Sequence, residues 1–242
     1  MINLSEVNSQ TSIAGQQVYR YEYSCRCGWI DWEHARADRP DLESLRRQLP
    51  FPPIAGGLPL NQINWSRWPG SSQRTFRVRF SPVGFTISRV VEASIYDYGA
   101  DRHRYMEIAL ALYLMGCGWA EQTQWLADVV AGWLINTGHS GYSFEDMTSN
   151  LLAFHQTIAG YSREQIREMC HVVPQTQAAT LLRTMTEAQR GSTNRDPFQP
   201  VYWHTRPGLT NCCADCQGVP AQLPTEINRV RPASPNVWTN VY

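Results

Sequence analysis

The sequence predicts a mainly α chain of the α+β class. It should hold five or so packed helices, a small antiparallel sheet or hairpin, and a long irregular C-terminal tail. Three observations carry this. Between about residues 100 and 190, apolar residues recur at three- and four-residue spacing. Residues 74–80 alternate strictly. Beyond Gly191 the periodic runs give way to Pro, Asn and Thr. With 242 residues the chain is long enough to bury a sizeable core. It reads as a single domain, 1–242, with its core over about 17–190 and the tail, 191–242, packed on it.

In chain order, residues 1–16 are polar and read as a loosely held lead-in. QVYRYEYSC (17–25) has β-favouring residues and reads as one strand. Asp41 is placed to cap a short helix, LESLRRQL, which Pro50 stops. The Pro-, Gly- and Trp-rich stretch 50–72 reads as an ordered loop, long enough to line a groove. RTFRVRF (74–80) puts Phe76, Val78 and Phe80 on one side, and after a turn at Pro82 and Gly84 the run FTISRVVEASIYDY can pair with it as a hairpin. A buried helix follows over 100–118, with Met106, Leu110, Tyr113, Leu114 and Cys117 on one stripe. A second is expected over 121–136, stopped near Gly138. Ser143 and Asp146 have the spacing of a capping box that opens a third helix, through His155 to Gly160. Ser162 and Gln165 open a short fourth, and a fifth runs over 176–190.

Composition excludes several function classes. Lys plus Arg and Asp plus Glu number 21 each, so no global field selects nucleic acid or an anionic membrane. No apolar stretch is long enough to span a membrane. There is no P-loop, GxGxxG or GxSxG. Nine Trp and eleven Tyr in a chain only 17% charged suit either a large aromatic core, the weightier alternative, or stacking on sugars and peptides. The first residues lack the basic start and apolar run of a signal peptide. Yet seven cysteines, at 25, 27, 117, 170, 212, 213 and 216, suggest disulfides and an oxidising compartment. Export by a contact-dependent secretion machine into the periplasm of a target bacterium would reconcile the two.

Candidate chemistry concentrates in CRCGWIDWEHARADRPD (25–41). Asp31 and His34 lie three apart, so a helical turn lets them share a face and orients the imidazole as base, acid or metal ligand. Glu107 sits in a nearly continuous apolar helix, four residues after His103. Desolvation there would favour its neutral form, as a general acid needs; the alternative is a surface Glu paired with His103 or Arg104. Glu145 and Asp146 open the third helix, where capping alone would explain them, but the preceding loop brings His139 beside the same helix start. Glu107 with Asp146 or Asp31 could supply the paired carboxylates of glycoside hydrolysis. Cys25 or Cys27 as nucleophile, with His34 or His139 as base, lacks any local signature of a cysteine peptidase. Zinc through the cysteines, or through Asp31, His34 and Glu107, lacks paired CxxC and HExxH motifs, so no cofactor is expected. Disulfides suit Cys25 and Cys27 better.

Two segments resemble a bacterial family of envelope-associated proteins of unassigned activity. One motif, Gly-Phe-Ile-Asp-x-x-His-x-Arg ending in Ala-Asp, is similar to Gly28-Trp29-Ile30-Asp31, His34, Arg36 and Ala37-Asp38. The other, Phe-Ser-x-Glu-Asp-x-x-Ser-Asn-Leu-Leu, is similar to Tyr142-Ser143-Phe144-Glu145-Asp146 with Ser149-Asn150-Leu151-Leu152. The resemblance covers about residues 25–160. Where the family has a His-Glu-Ile triplet this chain has Met106-Glu107-Ile108, which removes a ligand from any metal role there. The resemblance implies that Asp31, His34, Arg36, Glu107, Glu145, Asp146 and Asn150 belong to one site.

The function expected is a peptidoglycan hydrolase, an antibacterial effector that cleaves glycan by carboxylate acid–base chemistry. Glu107 would be the acid; Asp31 with His34, or Asp146 with Glu145, would orient water or stabilise developing charge. Arg36, Asn150, His139, Trp29, Trp65 and Trp68 would bind substrate. An immunity or inhibitor protein is a candidate partner. The alternatives are a metal- or cysteine-dependent peptidoglycan amidase or peptidase, and a non-catalytic wall-binding protein.

Overall fold

The computed structural model describes residues 2, 4–49, 73–80, 89–96, 101–132, 146–185, 214–220, 222–233 and 238–241. They form a mainly α chain with small antiparallel sheets, the class the periodicity predicts. The expected loop over 50–72 lies outside them.

The N-terminal lead-in is more ordered than its polarity suggested. A short helix, α1 (Leu4–Val7), is followed by a hairpin of β1 (Gln10–Ile13) and β2 (Gln16–Tyr19). Ala14 and Gly15 turn it with φ of 51° and 80°, the positive pair that matches strand twist in a two-residue turn. Ile2 and Val7 are buried, and Leu4 and Ile13 pack against the core, so a few apolar residues pin a polar segment.

The strand expected over 17–25 is split at Arg20. The Arg20 amide donates to the Ser9 carbonyl at 3.1 Å, while its own carbonyl accepts from the Trp32 amide at 2.8 Å. The chain thus changes partner at this residue. Beyond it, β3 (Tyr21–Ser24) pairs antiparallel with β4 (Gly28–Asp31), in the register Tyr21↔Asp31 to Ser24↔Gly28. Every residue of both strands is buried, because the ribbon lies between two apolar clusters. Tyr21, Tyr23, Cys25 and Trp29 face one, with Ile2, Val7 and Leu182. Cys27, Ile30 and Trp32 belong to the other, with the long helix that follows.

Disulfides tie this ribbon to distant segments: Cys25 to Cys216 and Cys27 to Cys170, with Cα separations of 5.2 and 5.6 Å. Cys117 stays a buried thiol; Cys212 and Cys213 lie outside the described residues.

Helix α2 (Pro40–Gln48) starts at Pro40 with Arg39 as its N-cap, and no side chain caps it. Asp41 is therefore not the cap. It sits in the first turn and accepts from the Leu42 amide and the Arg39 guanidinium. The alternating stretch forms β5 (Gln73–Phe80), paired with β6 (Arg89–Tyr96) as the expected hairpin. Part of the supposedly irregular tail completes this sheet: β7 (Trp238–Val241) pairs antiparallel with β6. Four residues were too few for sequence periodicity to mark.

The two helices expected over 100–118 and 121–136 are one through Gly132, α3 (Arg102–Gly132); 133–136 lie outside the described residues. Gly116 and Gly118 only weaken a helix, by about 1 kcal/mol each relative to Ala, and no proline intervenes. Residues 108–114 are buried on all sides, the mark of a central helix.

Helix α4 (Asp146–Phe154) runs into a π-helical turn, His155–Ala159, and ends on left-handed Gly160 at φ 80°. Ser162 and Gln165 form the predicted capping box of α5 (Arg163–Cys170). Helix α6 (Gln175–Thr184) stops short of the expected Arg190, with Met185 already extended. A last turn, α7 (Thr225–Asn228), lies in the tail. No helix among the described residues is long and apolar enough to cross a membrane.

Candidate active site

Asp31 is the last residue of β4, and the chain leaves it in a tight turn. Its carbonyl accepts from the amides of His34 and Ala35 at 3.1 and 2.8 Å, while its Oδ1 accepts from the Glu33 amide at 2.9 Å. This Asx-type turn brings the His34 ring back over the Asp31 carboxylate, with Nδ1 3.6 Å from Oδ2. The spacing of Asp31 and His34 thus works through a turn rather than a helix.

The second carboxylate comes from α4. Asp146 Oδ1 lies 2.9 Å from His34 Nδ1, in the first turn of its helix, where the dipole favours an anion. Both carboxylates are buried, at 1% and 7% side-chain exposure, while the His34 side chain keeps 37%. One imidazole edge is therefore packed against two carboxyl groups, and the remaining ring reaches solvent.

A ring of neighbours holds this arrangement. Ser149 Oγ accepts from the Asp31 amide at 2.8 Å. Arg20 Nη2 meets Asp31 Oδ2 at 3.1 Å, and its Nε meets Glu33 Oε2 at 3.2 Å. Burial works against the Arg20 charge, but the Asp31 carboxylate outweighs it, so the guanidinium is held firmly protonated. Asn150 accepts from the Arg39 guanidinium and, at 3.4 Å, from the Tyr113 hydroxyl. Burial raises the Tyr113 hydroxyl well above its usual range, so it stays a neutral donor. Arg39 also stacks over the Tyr113 ring, its guanidinium carbon 5.4 Å from the centroid, and reaches the His34 carbonyl at 3.3 Å.

Of the residues singled out from sequence, Asp31, His34 and Asp146 meet directly, with Asn150 one turn further along α4. Glu107 lies on α3, its carboxylate held by His103 at 3.4 Å and Arg104 at 2.9 Å. Arg36 pairs at the surface with Asp38 at 3.0 Å. Trp29 is 1% exposed and packs edge-on against Tyr23, with centroids 5.4 Å apart, so its ring belongs to the core. Glu145, His139, Trp65 and Trp68 lie outside the described residues.

Sequence reasoning did not propose Arg20, Glu33, Arg39 or Ser149 as site residues. Ser149 appeared only as a position of the second motif, and it is a polar residue one turn after Asp146 on an apolar helix. Among the described residues, no group of three His, Cys, Asp or Glu is arranged to hold a metal ion.

Comparison with protein-family models, curated proteins and solved structures finds no match to this chain.

Proposed function

We propose that this chain is a hydrolase in which His34 transfers the proton, acting on bacterial peptidoglycan outside the cytoplasm. The observation that carries the reading is the half-exposed imidazole with Nδ1 against two buried carboxylates. A carboxylate behind an imidazole orients the ring and stabilises the imidazolium formed when the ring takes a proton. Water is the nucleophile, His34 takes its proton, and the same ring returns a proton to the leaving group. Asp31 and Asp146 turn toward the same ring, which favours histidine-centred hydrolysis over a mechanism with two independent carboxylates. Glu107, the acid of the glycan-cleaving alternative, already has two partners on its own helix, His103 and Arg104.

The substrate class is supported by the resemblance to envelope-associated proteins. The two disulfides support action in an oxidising compartment, and an antibacterial role would bring a neutralising partner with it. A second reading, a zinc-dependent amidase, draws on the same contact, because metal-ligating histidines are oriented by a carboxylate on their other nitrogen.

The test is digestion of purified peptidoglycan with mass analysis of the fragments. Wild-type protein should release them and His34→Gln should not. Intact sacculi with wild-type protein would sink the proposal. Loss of activity on chelation, restored by zinc, would select the amidase. Activity lost in Glu107→Gln but kept in His34→Gln would return the chemistry to the glycan-cleaving mechanism.

A further inference from the structure

All nine residues of α4 are buried, yet one face of the helix is polar: Asp146, Ser149 and Asn150, continued in the π turn by Gln156 and Thr157. Buried polar groups need partners, and these find them on one irregular segment. Asp146 and Ser149 reach His34 and the Asp31 amide. Gln156 Nε2 donates to the Ala35 carbonyl, and Thr157 Oγ1 donates to the Ala37 carbonyl at 2.8 Å. The segment after β4 has no strand partner for these carbonyls, and the helix end supplies side-chain donors instead. The π turn inserts a residue where the two donors must reach adjacent parts of one loop. Such insertions recur at functional sites.

We propose that Gln156 and Thr157 are positioning residues for His34. By holding the carbonyls of Ala35 and Ala37, they fix the turn that presents the ring to Asp146. Neither touches the reacting atoms. The catalytic consequence rests on the hydrolase reading above; the placement of the ring does not.

The experiment is nitrogen NMR of the histidine rings in the intact, disulfide-bonded chain, with the His34 signals identified by their loss in His34→Gln. Thr157→Val keeps the shape and removes the donor, and should displace the His34 ring signals. It should also lower kcat on soluble peptidoglycan fragments at least tenfold with KM little changed. Thr157→Ser restores the donor and should restore both. Should Thr157→Val fold poorly, Gln156→Leu carries the same measurement. His34 signals at their wild-type positions in the folded variant would overturn the proposal, even if its activity fell. If the wild-type chain digests no peptidoglycan, the ring signals still test the positioning role, and only the functional reading falls.

Discussion

His34 Nδ1 stands 2.9 Å from Asp146 Oδ1, so a turn at a strand end and the first turn of a helix meet in one close side-chain contact. Removing the charge while keeping the shape tests what this contact does. Asp146→Asn should lower the hydrolytic rate by up to about 10⁴, the loss expected when the carboxylate that orients a proton-transferring imidazole becomes an amide. Fragment release per unit time is the measurement, with the circular dichroism spectrum unchanged. A rate equal to wild type would remove Asp146 from the mechanism.

Glu22 is a third buried carboxylate with a different role. Its Oε2 accepts from Trp32 Nε1 at 2.6 Å, Arg163 Nη2 at 3.0 Å and Arg167 Nε at 2.9 Å. Arg163 also stacks over the Trp32 ring at 4.6 Å. Glu22→Leu strands two guanidinium groups beside an apolar residue and should cost about 3–5 kcal/mol. Urea unfolding would show this as a lower midpoint with little change in slope.

The disulfides should dominate stability. Each closes a loop longer than 140 residues, and losing one should cost about 2–5 kcal/mol. Peptide mapping without reductant should recover the Cys25–Cys216 and Cys27–Cys170 links. Cys27→Ala with Cys170→Ala should melt well below wild type in non-reducing buffer and close to it after reduction. Equal melting before reduction would contradict the expectation.

His155 predicts a pH effect. Its ring is fully buried beside Phe154 and Tyr161, neither nitrogen has a hydrogen-bond partner, and burial pushes its pKa from 6.5 down to about 4. Below pH 6.5 the unfolded chain takes up a proton that the folded chain refuses. Stability from this residue therefore falls as pH drops from about 6.5 to about 4 and levels off below. The loss is about 3 kcal/mol. His155→Leu should remove this component, so its stability should depend less on pH than that of wild type across the same window. Parallel curves for the two proteins would count against it.

Local rules made several elements legible. The alternation of 74–80 specified a strand, Ser162 with Gln165 specified a helix start, and the apolar run after Arg102 specified a buried helix. Rules based on single residues did worse. Two helices were expected over 100–118 and 121–136 where one runs through Gly132, and Asp41 suggested a cap where Arg39 holds that position before Pro40. Arg20 looked like the middle of a strand because nothing in the sequence marks where a backbone changes its hydrogen-bonding partner.

At the candidate site, the sequence by itself determined that Asp31 and His34 are close, because a turn between residues three apart is a local matter. It also marked Asp146 as a helix start. Only the tertiary structure decided that these two places meet, that Trp29 is core, and that Glu107 is engaged on its own helix. The physical reason is that α4 is buried on every side, so its polar face must find partners. The Asp31 amide and, after β4, the carbonyls of Ala35 and Ala37 are the backbone groups that meet it. Which buried donor meets which acceptor is set by packing between segments far apart in the chain, and local sequence carries no record of it.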